Sequence, residues 1–402
     1  EIQSYNNHLW WYMVEFFDKY ASLLNMKIII MSATLPKLDY FLEEKSNFVA
    51  LIGDKKKRDL FQNVLFKDRV KINFLLDKTE KMTIPRLVEI LKEQPKDKKI
   101  LFEFIKKQSA REFYNAIKDQ FENVYELSGD DNKAYRQYVI NKSKCEPLII
   151  VATQVIEAGV DIDMDIGFKD ISTIDSEEQF MGRINRSCLR DGVVYFFDMD
   201  EAEKIYRGDN RLGLDLYEPK YQDILKNKAF DLYYGEVLER IKTDKTKYKS
   251  GLMTSHDYFD EAIKKLNYKK IKEEMTLIKS DNFTLYFPFQ IDITLYKNVK
   301  EFDGLDECFK TDEKLDGQKV WNTFVTLNDI EGFAKKEVQE SRVKALMQFF
   351  TFTIFKNYEG QTPFIGEEQY GYYFVQEYSK FITSEGKFDR EQYNKTKNSN
   401  FL

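Results

Sequence analysis

The sequence predicts an α/β fold: a mostly parallel sheet with helices on both faces, followed by a mixed domain of different character. Three observations predict it. Between about residue 84 and residue 200 the apolar runs at 100–104, 124–127, 148–152 and 193–197 alternate with stretches of helical periodicity, which is how parallel strands joined by helical crossovers read. Upstream, apolar residues recur at helical spacing (Leu9, Met13, Phe16, Phe17, Leu23, Leu24) and feed the apolar run at 27–31, a further helix-then-strand unit. Beyond about residue 210 the alternation stops, and lysine-rich helical stretches such as 221–249 precede aromatic strand-like runs such as 283–292.

Taken in order, the run 27–31 reads as a short buried strand, and the lysine-bearing stretch 53–58 as a solvated linker. In an open parallel sheet, ligands sit beyond the carboxyl ends of the strands, where the loops after Ala152 and before Glu177 fall. Ser176 followed three residues later by Gln179 is a capping-box pattern, so a helix is expected to start there. The aromatic run at 349–355 offers stacking surfaces in principle, but core packing is the preferred reading.

Composition narrows the class. A chain of 402 residues is long enough for two or three domains at about 150 residues each. Hydrophobic and charged fractions of 43% and 32% are those of a globular protein, and no apolar run approaches the roughly 20 residues of a membrane helix. With a net charge of -6, any nucleic acid must lie in a locally basic groove on an acidic body. Cys145, Cys188 and Cys308 show no paired spacing, which fits a reducing cytoplasm and gives no zinc pattern. Asp161, Asp163 and Asp165 alternate with apolar residues, but Gly167 is one place late for a calcium loop and Ser172 stands where a glutamate is required; no metal site is expected. His256-Asp257 reads as a chance dipeptide.

Chemistry concentrates between Val151 and Arg186. At a strand end Thr153 can present a hydroxyl to a phosphate, Gly159 permits close backbone approach, and Asp161 can accept from a ribose hydroxyl. Gln179, Arg183 and Arg186 are spaced by four and three residues, so on a helix they would share one face, with Gly182 before the first arginine. Paired guanidinium groups match the charge of a transferring phosphoryl group. Upstream, Ser32-Ala-Thr34 follows the apolar run with two hydroxyls. No Gly-x-x-x-x-Gly-Lys-Ser/Thr loop occurs, so the cradle for nucleotide phosphates is absent from this sequence, and this chain alone is not expected to hydrolyse ATP.

The order Ser-Ala-Thr, α/β lobe, glycine-aspartate turn, glutamine-arginine segment resembles motifs III, V and VI of superfamily 2 helicases. Met31-Ser-Ala-Thr-Leu-Pro36, Val151-Ala-Thr-Gln-Val-Ile-Glu-Ala-Gly-Val-Asp161 and Gly182-Arg-Ile-Asn-Arg186 resemble the type I CRISPR-associated helicase-nuclease family in particular, over about residues 1–210. The resemblance implies a RecA-like motor lobe over 56–212. Residues 1–55 would be the C-terminal remnant of a preceding RecA-like lobe, 213–264 a helical linker and 265–402 an accessory domain. It implies Glu1 as the residue activating the attacking water, and Ser32 and Thr34 as coupling residues. Thr153 and Gln154 would contact DNA; Gly159, Asp161, Gln179, Arg183 and Arg186 would face the nucleotide, the two arginines as fingers. ATP and Mg2+ are the implied cofactors, held mainly by a part of the first lobe absent from this sequence.

The implied partners are single-stranded DNA, a CRISPR RNA-guided surveillance complex and a nuclease domain in the same polypeptide, in the cytoplasm. Phe180 stands where many relatives carry a further arginine, and Lys106 where a hydroxyl residue is common. An RNA helicase, a duplex translocase and a non-catalytic partner-binding piece remain alternatives. The motor reading requires the two arginines to face the cleft edge of the parallel sheet.

Overall fold

The computed structural model describes residues 2, 5–32, 34–43, 48–156, 160–206, 208–244, 253–274, 282–296, 299–328, 333–355, 363 and 365–399. The chain divides into two compact units, one of residues 1–126 with 147–279, the other of residues 127–146 with 280–402.

In chain order the elements up to residue 274 are α1 (Trp10–Leu23), α2 (Asp54–Phe61), α3 (Val64–Lys67), β1 (Val70–Leu75), α4 (Ile84–Lys92), β2 (Ile100–Glu103), α5 (Lys107–Ile117), β3 (Val124–Leu127), α6 (Lys133–Cys145), β4 (Ile149–Ala152), β5 (Ile166–Asp170), α7 (Ile174–Met181), β6 (Gly192–Phe197), α8 (Ala202–Ile205), α9 (Pro219–Asn227), α10 (Phe230–Thr243), α11 (Ser255–Lys264) and α12 (Tyr268–Glu274). Six strands form one sheet in the order β1-β6-β5-β2-β4-β3. Its pairs β1–β6, β6–β5, β5–β2 and β2–β4 are all parallel. β2 and β4 are buried along their whole length, as strands covered on both faces must be. Phe102, Phe104, Phe113 and Phe168 pack with Leu87 and Leu91 of α4 into its core. The α/β class with a parallel sheet is therefore the fold observed.

Two strands escape a hydropathy reading. β1 is half-buried at the sheet edge. β5 contains Gly167, Lys169 and Asp170, yet every residue in it is buried. The run 27–31, expected as a buried strand, is not one. Residues 26–32 are irregular, and Met31 is 75% exposed; among the described residues no strand lies beside it to accept its ladder hydrogen bonds. The stretch 53–58 is likewise the start of a helix, α2, instead of a loop, although its apolar neighbour Leu60 stays exposed.

α1 packs on the helices after the sheet. Trp11 stacks on His256 with ring centroids 4.2 Å apart, and Glu15 accepts from Trp11 Nε1 and bonds His256 Nε2, each at 2.9 Å. Asp257 closes a capping box with Thr254 at the start of α11. Both halves of the His256-Asp257 pair are thus structural. No helix among the described residues is long and apolar enough to cross a membrane.

The second unit adds β7 (Asn282–Tyr286), β8 (Gln290–Asp292), β9 (Lys310–Thr311), β10 (Lys314–Asp316), α13 (Gly317–Asn328), α14 (Phe333–Met347), β11 (Thr351–Phe355), β12 (Glu367–Gln369), β13 (Tyr372–Phe374) and α15 (Arg390–Ser399). It holds an antiparallel sheet β8-β10-β9 and a mixed sheet β11-β7-β13-β12. Its core is aromatic, with Tyr286, Phe287, Trp321, Phe349, Phe350 and Phe352 all buried. Along β11, Phe352 and Ile354 point inward while Thr353 and Phe355 are exposed, so the aromatic run 349–355 is core, as its alternation suggests. α6 belongs to this unit: Asn132 Nδ2 donates to the Gly386 carbonyl at 2.9 Å, and Lys387 pairs with Asp131 at 3.1 Å.

Candidate functional site

Thr153 directly follows β4 at the carboxyl edge of the sheet and is buried. Gln154 follows on a 3-10 turn (Gln154–Ile156), its side-chain amide donating to the Tyr206 hydroxyl. Because β4 and β5 run the same way, the chain must then travel back to the amino edge before β5 begins. Asp161, Asp163 and Asp165 lie on that return; Gly159, like Glu1, lies outside the described residues.

α7 starts earlier than the Ser176–Gln179 pattern suggests. Its N-cap is Thr173, and Ser176 is buried inside the helix. The reason is Glu177, whose carboxylate accepts the Ser172 N–H at 2.6 Å and so satisfies a donor ahead of the first turn. The helix also ends at Met181, with Gly182 as C-cap. Gln179 is therefore helical and half-buried, but Arg183 and Arg186 do not share its helical face. They stand on an irregular turn in which Asn185 and Cys188 have positive φ.

This turn is fixed by backbone pairing with the return segment. Met164 donates its N–H to the Arg183 carbonyl at 2.9 Å, and Asn185 donates to the Met164 carbonyl at 2.7 Å. The arginines are thus beside the residues that precede β5, at the amino edge of the sheet and not at the carboxyl edge with Thr153. The two ends are separated by the length of β5, about 15 Å at 3.3 Å per residue. The loop after Ala152 and the arginine turn therefore lie at opposite edges of the sheet, because a helix leaving the carboxyl end of β5 has to run antiparallel to it to reach β6.

At the amino edge the structure brings Asp161 and Arg186 together, Nη1 to Oδ1 at 3.2 Å, with side chains 76% and 46% exposed. Asp163 accepts the Arg186 N–H at 2.7 Å and pairs with Arg190 at 2.7 Å, while Arg190 also reaches Asp165 at 2.8 Å. Burial raises the Asp163 carboxyl pKa, but hydrogen bonds from Ser187 and the charge of Arg190 outweigh it and hold the group below its ordinary value. The alternating aspartates are therefore arginine partners. Arg69, ahead of β1, donates to the carbonyls of Met181 at 3.1 Å and Ile184 at 3.3 Å. Asn185 Nδ2 returns a bond to the Arg69 carbonyl at 2.9 Å, and Asn185 Oδ1 accepts from Arg190 N–H at 3.1 Å. Sequence reading passed over Arg69, Asn185 and Arg190. Only Asn185 carried a visible signal, since asparagine tolerates the left-handed conformation.

Beneath α7 lies a buried charge cluster. Lys169, 1% exposed, bonds Glu103 and lies 3.6 Å from Glu177, with its ammonium over the Phe180 ring. Phe180 is fully buried, so the position at which the family resemblance implies a further arginine is a core residue in this chain. A Cβ at Gly167 would meet Phe180 Cε1 at 2.6 Å and Ile184 Cδ1 at 2.9 Å; the glycine lets the helix lie close to the sheet. At the carboxyl edge Lys106 pairs with Asp200 at 3.2 Å and gives it a backbone N–H at 3.0 Å. Beside it Asp170 accepts from Met199 N–H at 2.8 Å; burial pushes its carboxyl up to about 8, against the pull of those backbone donors.

The Ser-Ala-Thr segment meets the helices that follow the sheet. Thr34 is buried; its N–H donates to Ser32 Oγ at 3.4 Å, and its hydroxyl lies 3.3 Å from the Tyr234 hydroxyl of α10.

Residues 84–188 match the family described as CRISPR-associated nuclease/helicase Cas3, C-terminal. This stretch is similar to the C-terminal region of Cas3-type proteins. It carries β2 through the arginine turn, and so both ends of the return segment. The CRISPR-associated nuclease/helicase Cas3 of Methanothermobacter thermautotrophicus is 28% identical over 316 residues, 71% of this chain. The chain spans 34% of that relative's length. Among solved structures, T. fusca Cas3-ADP is 10% identical with a TM-score of 0.37, over 72% of this chain and 36% of the other. The C-terminal domain of the DEAD-box protein Dbp5 is 20% identical with a TM-score of 0.29, over 35% of this chain and 82% of the other.

Proposed function

We propose that the chain is the C-terminal part of an ATP-dependent single-stranded DNA translocase, working with a nuclease and a CRISPR RNA-guided surveillance complex to destroy foreign DNA. The observation that carries this reading is the Cas3-type match, which covers Thr153 at one edge of the sheet and the Asp161–Arg186 pair at the other. On this reading Thr153 and Gln154 hold DNA phosphates. Gly159, Asp161, Gln179, Arg183 and Arg186 face the nucleotide, Ser32 and Thr34 couple the two, and Glu1 activates water.

The residues at the amino edge suit a polyphosphate. Arg186 is half-exposed and its partner Asp161 is more so, and such a surface pair gains little from its own attraction. Exchanging that carboxylate for phosphate oxygens therefore costs little, while Arg69 and Asn185 keep the turn in place. ATP with Mg2+, when bound, supplies the phosphoryl group whose transfer drives movement. The chain's own part is to supply guanidinium charge and to convert a change at the arginine turn into a change of phosphate grip at Thr153, because one short segment joins them.

The test restores the preceding lobe and measures DNA-stimulated ATP hydrolysis. Replacing either Arg183→Ala or Arg186→Ala is expected to lower turnover by about 10³-fold, the usual worth of such a finger. Turnover at the wild-type rate in both variants overturns their assignment.

A further inference from the structure

A buried polar chain joins five separate stretches of sequence around the start of α7. Asp175, in the first turn of that helix, accepts from Arg211 Nη1 at 2.6 Å and from the Tyr233 hydroxyl at 3.3 Å. Arg211 also grips Asp209, Nη2 to Oδ2 at 2.6 Å, and Asn7 Nδ2 donates to the same carboxylate at 2.5 Å. Tyr234, the next residue on α10, reaches the Thr34 hydroxyl, and the two tyrosine rings lie 5.0 Å apart. Trp10 covers the group, 6.0 Å from the Arg211 guanidinium and 6.2 Å from the Tyr234 ring. Asn7, Trp10, Thr34, Asp175, Arg211, Tyr233 and Tyr234 are all buried.

The geometry points to Arg211, Tyr233 and Tyr234 as positioning residues that tie the Ser-Ala-Thr segment to the helix leading into the arginine turn. This deepens the proposed function and rests on it for its consequence. Two arguments support the assignment. A buried arginine between two carboxylates holds one geometry, because its planar fork matches carboxylates in few orientations. α7 is only eight residues long, roughly 12 Å at 1.5 Å per residue, so a tilt at Asp175 is delivered to Arg183 and Arg186 with little loss. α10 is then the link through which Thr34 and the arginine turn move as one body. Nothing in the sequence motifs points to Tyr233 or Tyr234, which lie beyond the last of them.

The experiment uses hydroxyl-only substitutions, since removing Arg211 altogether leaves Asp175 buried without its cation and puts folding at risk. In the protein with its preceding lobe restored, Tyr234→Phe is expected to keep ATP KM and DNA-stimulated turnover within about twofold while lowering DNA displaced per ATP at least fivefold. Thr34→Val combined with Tyr234→Phe should be no worse than either alone, because both cut one linkage. Additive losses, or an unchanged displacement per ATP, overturn the relay. A second arm needs no activity: amide hydrogen exchange in this chain should quicken across residues 174–186 in Tyr233→Phe and Tyr234→Phe, and unchanged protection there overturns the proposal. If wild-type protein shows no DNA-stimulated ATPase, the translocase reading fails, and the exchange arm still decides whether the relay exists.

Discussion

Asp170 shows how far a single buried group can depart from its ordinary chemistry. With its carboxyl raised to about 8 from 3.8, the folded state binds a proton that the unfolded chain has released over that interval. Its contribution to stability is complete below about pH 4 and is lost as pH rises through 8. Thermal melts of this chain are therefore expected to fall between pH 5 and pH 9, by the equivalent of a few kcal/mol. Asp170→Asn, which imitates the protonated acid and keeps an acceptor for Met199 N–H, should flatten that dependence. A variant with the wild-type slope would show that the titrating group lies elsewhere. Lys169 makes the complementary case. Lys169→Ala strands Glu103 and Glu177 in the interior, and a loss of about 3–5 kcal/mol is expected in denaturant titrations. A neutral result would mean that the buried pair adds no net stability.

At the scale of elements, α7 and its turn carry most of what was legible and most of what was not. The residues of the arginine segment were readable because their types are chemically demanding. Their geometry was not, because spacing by three and four suits a helix only while the helix continues, and Gly182 with Asn185 ends it. β5 was hidden for a related reason. Lys169 and Asp170 look like solvent-facing residues until their partners from β2, α7 and the turn after β6 are known. The run 27–31 misled in the other direction, since apolar residues predict burial only where something covers them. Close approach of α7 to β5 gives a direct check: Gly167→Ala forces Phe180 and Ile184 aside and is expected to cost about 1–3 kcal/mol, read as a lowered melting temperature. If the variant melts like wild type, the helix has slack that the packing does not show.

For the whole molecule the division into units matters more than any motif. Ala134 of α6 sits in the aromatic core of the second unit, and Asp131 of the preceding loop depends on Lys387 for its counter-charge. Burial raises the Asp131 carboxyl even against that lysine. A chain cut after residue 279 is therefore expected to lose more than an appended domain: α6 should lose its fixed position, and far-UV circular dichroism with thermal melting should report a destabilised remainder. Equal melting of the cut and intact chains would show that α6 is held by the sheet alone. Charge at this scale also bears on DNA. On a body of net charge -6, affinity for single strands must come from a few local cations, so binding should weaken steeply with added salt. Salt-independent binding would remove the phosphate-grip reading of Thr153 and Gln154.

The discontinuous second unit has one further consequence, for the order in which the protein is made. Residues 127–146 leave the ribosome about 240 residues before Lys387 and Arg390, their partners in that unit. At roughly 5–20 residues per second, Asp131 and α6 wait on the order of 10–50 s for the contacts that bury them. During nascent growth the crossover between β3 and β4 is the part left unfinished, and it is there that a holding chaperone would be needed.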